Sequence, residues 1–239
     1  MASSSLRLGD WFSKNGLIVN NDKTNCVLFR TSHNKTDIPN DIQLQSNIIN
    51  VSDSCKMLGV HIDSCMNWQI HIDKLCGRLS SVCYALRVLV YYTNDDVVRM
   101  AYFGNFYSLL RYAIICWGQS SFAVGVFRLQ KRAIRIMFRM GIIDSCRGIF
   151  RKNRLLTLSA IYVYECILFV KRQFHYFEDY IPRYRYNKRF PLNFDFPAHR
   201  LVYYERGPFY SCIKLYNSIP KKIKETANLQ TSKNKNKLL

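Results

Sequence analysis

Acidic residues are scarce in this chain: 16 Asp and Glu stand against 35 Lys and Arg in 239 residues, a formal net charge of +19. Self-repulsion on that scale opposes compaction and points to an anionic partner, nucleic acid or an acidic surface. Long apolar runs are lacking too. The most apolar stretches, LLRYAIICWG and AIYVYECILFV, are short or carry a charge, well under the ~20 residues that a spanning helix needs, so no membrane partner is expected. The opening MASSSLRLGDWF has no apolar core of the kind a secretory leader requires. Secretion is therefore not expected, and the nucleus and the cytoplasm are left open. The nine cysteines are scattered singly with no Cys-x-x-Cys pair, which reads as reduced, largely buried thiols. His61, Cys65, His71 and Cys76 fall close together, but their spacings fit no zinc finger or knuckle. No metal is expected there. What the chain does have is 49% hydrophobic and 14% aromatic residues, enough to fill a sizeable core.

The stretch Tyr91-Tyr92-Thr93-Asn94-Asp95-Asp96 sets paired carboxylates behind tyrosines in this basic chain. Two-metal phosphoryl transfer needs carboxylates that hold cations about 4 Å apart, and some polymerases supply them from a Tyr-x-Asp-Asp hairpin. Here two residues separate Tyr92 from Asp95, and a long apolar segment without proline follows. That segment reads as a buried helix, not as the second strand of a hairpin. Thr93 or Asn94 is expected to cap it, with Asp95 and Asp96 in the first turn and Asp96 completing a capping box with Thr93.

The fold class expected is α+β, mainly α with a small β portion at the N-terminus. A short amphipathic helix over LRLGDWFSKNGL leads through a turn to a strand, CVLF, then to a polar loop with one strand around IQLQ or NIINV. KMLGVHID reads as a strand bent at Gly59 and ending at Asp63. Helices are expected over about 68–91, 95–117, 124–140 and 155–177, broken at Asn94, Gly118 and Gly141. From Pro182 to Pro220 lie five of the six prolines, which suggests an extended tail laid over the helices. A last short helix, KKIKETAN, precedes a lysine-rich end. Three parts follow: residues 1–67, 68–180 and 181–239.

At about 100° per residue, Arg128, Arg132, Arg135 and Arg139 form one stripe on the helix expected over 124–140, with Lys131 at its edge. No acidic residue is positioned to pair along it, whereas solvated faces ordinarily mix signs. The cations continue through Arg147, Arg151, Lys152 and Arg154. Phosphate contact is the reading preferred, since arginine forks bind phosphate bidentately without reading bases. In the tail, Arg183, Arg185, Lys188, Arg189, Arg200 and Arg206 interleave with many Tyr and Phe. Such a pattern either holds a single strand by stacking or pins the tail to the helical body.

Four segments in order resemble the reverse transcriptases of non-LTR retrotransposons, closest to the jockey-like group. WFSKNGLIVNNDKTNCVLF, from Trp11 to Phe29, is similar to the last palm motif of that family. KMLGVHID with Trp68, His71 and Ile72 is similar to its primer-grip region. LLRYAIICWG with LQKRAIRI resembles the helical region beyond the palm, and FYSCIKLYNSIP the usual end of these reading frames. The resemblance implies RNA-directed DNA polymerase chemistry in the family, with Mg2+ at palm carboxylates. Those motifs lie upstream of the Lys-Thr motif, so this chain is expected to be the C-terminal portion of such an enzyme: palm edge, helical thumb-like bundle and basic aromatic tail. It is expected to have no catalytic residues and no cofactor of its own, and at most to bind RNA, DNA or their hybrid. The alternatives are part of a longer active enzyme, whose missing palm would be a partner, and an inert or co-opted interaction remnant. Lys23 corresponds to the palm lysine that assists near nucleotide phosphates, but without a palm it has nothing to assist, and a solvated turn lysine is the reading preferred. Gly59 corresponds to the primer-grip turn, or simply permits a bend.

Overall fold

In the computed structural model of the chain, residues 10–18, 20, 24–31, 41–44, 47–181, 193–222 and 224 are described. The protein is mostly helical, with two small sheets near its N-terminus. It divides into two compact units, residues 1–75 and 76–239.

The first unit holds a helical turn at residues 10–14 and two antiparallel hairpins. Strands β1 (Asp41–Leu44) and β2 (Asn47–Asn50) pair with Asp41 opposite Asn50. Strands β3 (Ser54–Met57) and β4 (Val60–Asp63) pair with Met57 opposite Val60. The expected single strand around IQLQ or NIINV is thus two strands, one from each candidate stretch. KMLGVHID is not one bent strand either: it turns back on itself at Leu58-Gly59, where both residues have positive φ, 49° and 83°. Two consecutive left-handed residues are what a two-residue hairpin turn requires, and glycine supplies the second at little steric cost. CVLF does not form a strand. It makes one parallel bridge, Cys26 with Val51, and Ser52 N–H donates to the Cys26 carbonyl at 2.8 Å.

Helix α1 (Gln69–Tyr92) starts in the first unit and continues into the second. The second unit then runs through α2 (Asp95–Ala101), a π-helical stretch (Tyr102–Tyr107), α3 (Ser108–Arg111), α4 (Ile114–Trp117), α5 (Ala123–Met137), α6 (Arg147–Lys152) and α7 (Leu158–Arg172). A 3-10 stretch (Phe174–Tyr180), α8 (Val202–Glu205) and α9 (Pro208–Ser218) complete it. The segment expected as one helix over 95–117 is interrupted twice, by the π turn and by Tyr112-Ala113, where Tyr112 is extended and Ala113 has φ 52°. The Trp117 indole N–H donates to the Tyr112 carbonyl at 3.1 Å, satisfying a group that the break releases.

α5 carries Val126, Ala133, Ile134 and Met137 into the core, and Gln130 with them. The Gln130 amide donates to the Leu156 carbonyl at 2.9 Å and accepts from Leu158 N–H at 2.8 Å, so a buried polar side chain is paired on both sides. It also donates to the Tyr102 hydroxyl at 3.4 Å. Burial pushes the Tyr102 phenol up to about 12, against the opposing pull of that bond.

The Pro182–Pro220 tail is not wholly extended. α9 begins with Pro208 in its first turn, where a missing N–H costs nothing, and packs on α7 with Cys212, Ile213 and Tyr216 buried. Tail aromatics are stacked inward: Phe209 lies flat on Phe177 at 4.6 Å between centroids, and Phe194 contacts Phe177 and Tyr216. Lys224, the last described residue, is buried with its ammonium donating to Asn193 Oδ1 at 2.7 Å and the Asn217 carbonyl at 3.0 Å. Arg183, Arg185, Lys188, Arg189 and most of KKIKETAN lie outside the described residues. No helix of the described residues is long and apolar enough to cross a membrane.

Candidate functional site

The Tyr91–Asp96 stretch is a helix junction. Asn94 has extended backbone and its Oδ1 accepts from Val97 N–H at 3.0 Å, which makes it the cap of α2. The capping box expected between Thr93 and Asp96 is not formed, because the Thr93 hydroxyl donates backward to the Leu89 carbonyl at 2.7 Å and caps the end of α1 instead. Asp95 and Asp96 occupy the first turn of α2, where the helix dipole favours negative charge.

Asp63, at the end of β4, is buried and also serves a helix start. Its carboxylate accepts from Asn67 N–H at 3.0 Å and Trp68 N–H at 2.9 Å just before α1. His61 and His71 are near neighbours, with His61 N–H directed at His71 Nδ1 at 3.5 Å. The Lys74 ammonium stands 3.4 Å from His61 Nδ1. Among the described residues no group of His, Cys, Asp and Glu is arranged to hold a metal ion.

The arginine stripe acquires its shape from the end of α5. The helix stops at Met137, and Arg139 stands two residues beyond it with φ 51°. Arg139 N–H bonds the Ile136 carbonyl at 3.2 Å and Met140 N–H the Arg135 carbonyl at 2.9 Å, the paired closure of a Schellman motif. The helical stripe is thus Arg128, Arg132 and Arg135, and Arg139 departs from it at a left-handed position that usually belongs to glycine. The expectation that no acid pairs with these cations is corrected as well. The Arg139 guanidinium donates to Asp95 Oδ1 at 2.7 Å and to the Val90 carbonyl at 3.2 Å, and Arg135 Nε donates to the Asp144 carbonyl at 2.9 Å. The Asp95 partner was invisible to a periodicity argument because it comes from another helix.

Three of the four stripe residues meet in one place. Arg132, Arg135 and Arg139 line a groove of about 820 Å³ together with Arg87, Val90 and Tyr91 of α1 and with Ile136, Met140 and Ile142. Arg87 enters because α1 packs on α5: the buried Cys83 thiol donates to the Leu129 carbonyl at 3.9 Å. Burial pushes the Cys83 thiol up, while the positive charges of Arg132 and Arg87 pull the other way. None of the groove's lining residues is acidic. Of the four arginines, Arg139 is paired with Asp95, so Arg87, Arg132 and Arg135 carry the groove's positive charge beside its apolar residues.

The other sequence candidates fall elsewhere. Arg128 is exposed on α5 outside the groove lining, and the Lys131 ammonium lies over the Phe127 ring at 4.9 Å. Arg151 and Lys152 are exposed on α6, and Arg154 is exposed beyond it with φ 54°. Gly59 forms the β3–β4 turn in the first unit. Lys23 lies outside the described residues.

The chain therefore defines, among its described residues, a helical unit with an arginine-lined groove. Compared with protein-family models, curated proteins and solved structures, the chain found no match in any of the three.

Proposed function

We propose that the groove holds the phosphate backbone of RNA, DNA or a hybrid of the two, without reading bases, in a protein related to the reverse transcriptases of non-LTR retrotransposons. On this reading the helical unit plays a thumb-like part, gripping nucleic acid for an activity whose carboxylates and Mg2+ are supplied elsewhere. One observation carries the proposal: Arg87, Arg132 and Arg135, from two helices, line one groove with no acidic lining residue, while Arg139 at its edge is held by Asp95. Guanidinium groups present paired donors that match phosphate oxygens, and a polyanion satisfies several of them at once. The chain's excess of 19 positive charges supports the same class of partner.

The test is the affinity of the full chain for a primer–template hybrid across a salt series, beside a variant carrying R87S, R132S and R135S. Each phosphate contact contributes about 0.9 to the slope of log K against log salt on duplex DNA. The expected result is a steep negative slope that becomes shallower by about 3 units in the variant, with its circular dichroism unchanged. Equal slopes for the two folded proteins would sink the proposal.

A further inference from the structure

The groove has a feature that duplex binding does not use. Tyr91 lines it and is 79% exposed, and Tyr84, seven residues earlier on α1, is 68% exposed. Seven residues span nearly two helical turns, so Tyr84 and Tyr91 share one face, about 10 Å apart along the axis. Val88, also exposed, lies between them on that face, and Arg87 stands at its edge and lines the groove. Ile142, 91% exposed, adds a further apolar surface to the lining. Exposed aromatic rings beside cations are the two parts from which single-strand platforms are built.

We infer that the occupant is a single strand of nucleic acid, with its phosphates on Arg87, Arg132 and Arg135 and its bases stacked against Tyr91 and Tyr84. This rests on the phosphate reading of the groove and names the form of nucleic acid that it takes. The bases of a duplex face one another and offer no ring faces to a protein tyrosine, whereas every base of a single strand has one. Neither the stacking nor the phosphate contacts read the sugar, so DNA and RNA strands are bound alike.

Fluorescence anisotropy with a labelled 20-nucleotide DNA strand, the same strand as a duplex, the same strand with abasic sites across its centre, and an RNA strand of equal sequence tests this in the full chain. Base stacking on an aromatic side chain accounts for roughly a tenfold change per base. The wild type is expected to bind the intact single strand at least tenfold more tightly than the abasic strand. In a Y84A/Y91A variant that difference disappears, while duplex affinity changes less than twofold. An R87S/R132S variant loses affinity for all four probes. If Y84A/Y91A weakens strand and duplex equally, or neither, the single-strand inference is overturned while the phosphate groove stands. If R87S/R132S changes nothing, the groove reading itself fails. DNA and RNA affinities differing more than tenfold would also count against it, since a sugar contact would then be required.

Discussion

The two units are held together by different physics. In the second, apolar side chains from nearly every helix are fully buried, among them Leu79, Tyr102, Phe106, Trp117, Ile134, Ile161 and Ile213. In the first, Ile49, Ile72 and Leu75 are the buried hydrophobics among the described residues, while Trp11, Ile18, Phe29, Ile48, Met57 and Leu58 are exposed. Order there rests on hydrogen bonds: the turn at Leu58-Gly59, the Asp63 cap and the bridge at Cys26. Stability follows buried apolar area, so the second unit should resist denaturant far longer than the first. The groove is built wholly on that second unit, with Arg87, Arg132 and Arg135 on helices and Arg139 at a helix end.

The contrast is most directly broken by emptying the larger core. Phe106→Ala removes a fully buried ring stacked on Tyr102 and should cost about 3–5 kcal/mol. Peptide-resolved hydrogen exchange is expected to show residues 79–177 losing protection together while the β3–β4 hairpin exchanges as before. If the hairpin loses protection to the same extent, the two units do not differ in the way described. Gly118→Ala follows in size. An added Cβ would stand 2.5 Å from Tyr162 Cδ2 and 2.7 Å from the Ile114 carbonyl oxygen, and the backbone oxygen has little room to give. A loss of about 1–3 kcal/mol is expected in a urea melt. An unchanged melt would mean that α4 and α7 are not closely packed.

The helix ends that such substitutions probe were unevenly legible in the sequence. Asn94 announced the start of α2 because a short polar side chain before an apolar run has one good use there, and Pro208 would have announced α9 had the prolines around it not argued for an extended tail. The break at Tyr112-Ala113 left no trace, since neither residue is a usual helix breaker. The end of α5 was misplaced for a related reason: Arg139 fills a left-handed position without being glycine. Three of the groove's arginines could be found from periodicity along one helix. Arg87 could not, because its membership depends on how α1 and α5 pack, and nothing local encodes that. Gln130 was hidden in the same way, as one polar residue on a face otherwise apolar whose partners lie beyond α6.

Asp63→Ala sharpens the comparison from the other side. It removes the acceptor for two backbone N–H groups at the entry to α1 and should cost about 1–2 kcal/mol. The loss of exchange protection is expected to be confined to residues 54–72, with the melt of the second unit unmoved. A fall in that melt would show that the cap's influence crosses the unit boundary along α1.

The smallest expected effect is also the one with a sign in each unit. His61, in the first, is lowered below the usual histidine value, by burial first and then by the charges of Lys74 and Lys56. His199, in the second, is raised, first by its bond to the Pro197 carbonyl at 3.0 Å and then by Glu205 at 3.1 Å. For His61 the unfolded chain binds a proton more readily than the folded one, so its unit should lose stability as pH falls below ~6.5. For His199 the folded chain binds it more readily. That contribution is fully present below ~6.5 and is lost as pH rises through the elevated folded value. Histidine ring resonances followed by NMR from pH 5 to 8, with exchange protection corrected for its intrinsic pH dependence, should therefore show opposite slopes in the two units. H61Q should flatten the first and H199Q the second. Slopes of one sign, or slopes that survive these substitutions, would assign the pH response to other groups and remove the histidines from the comparison.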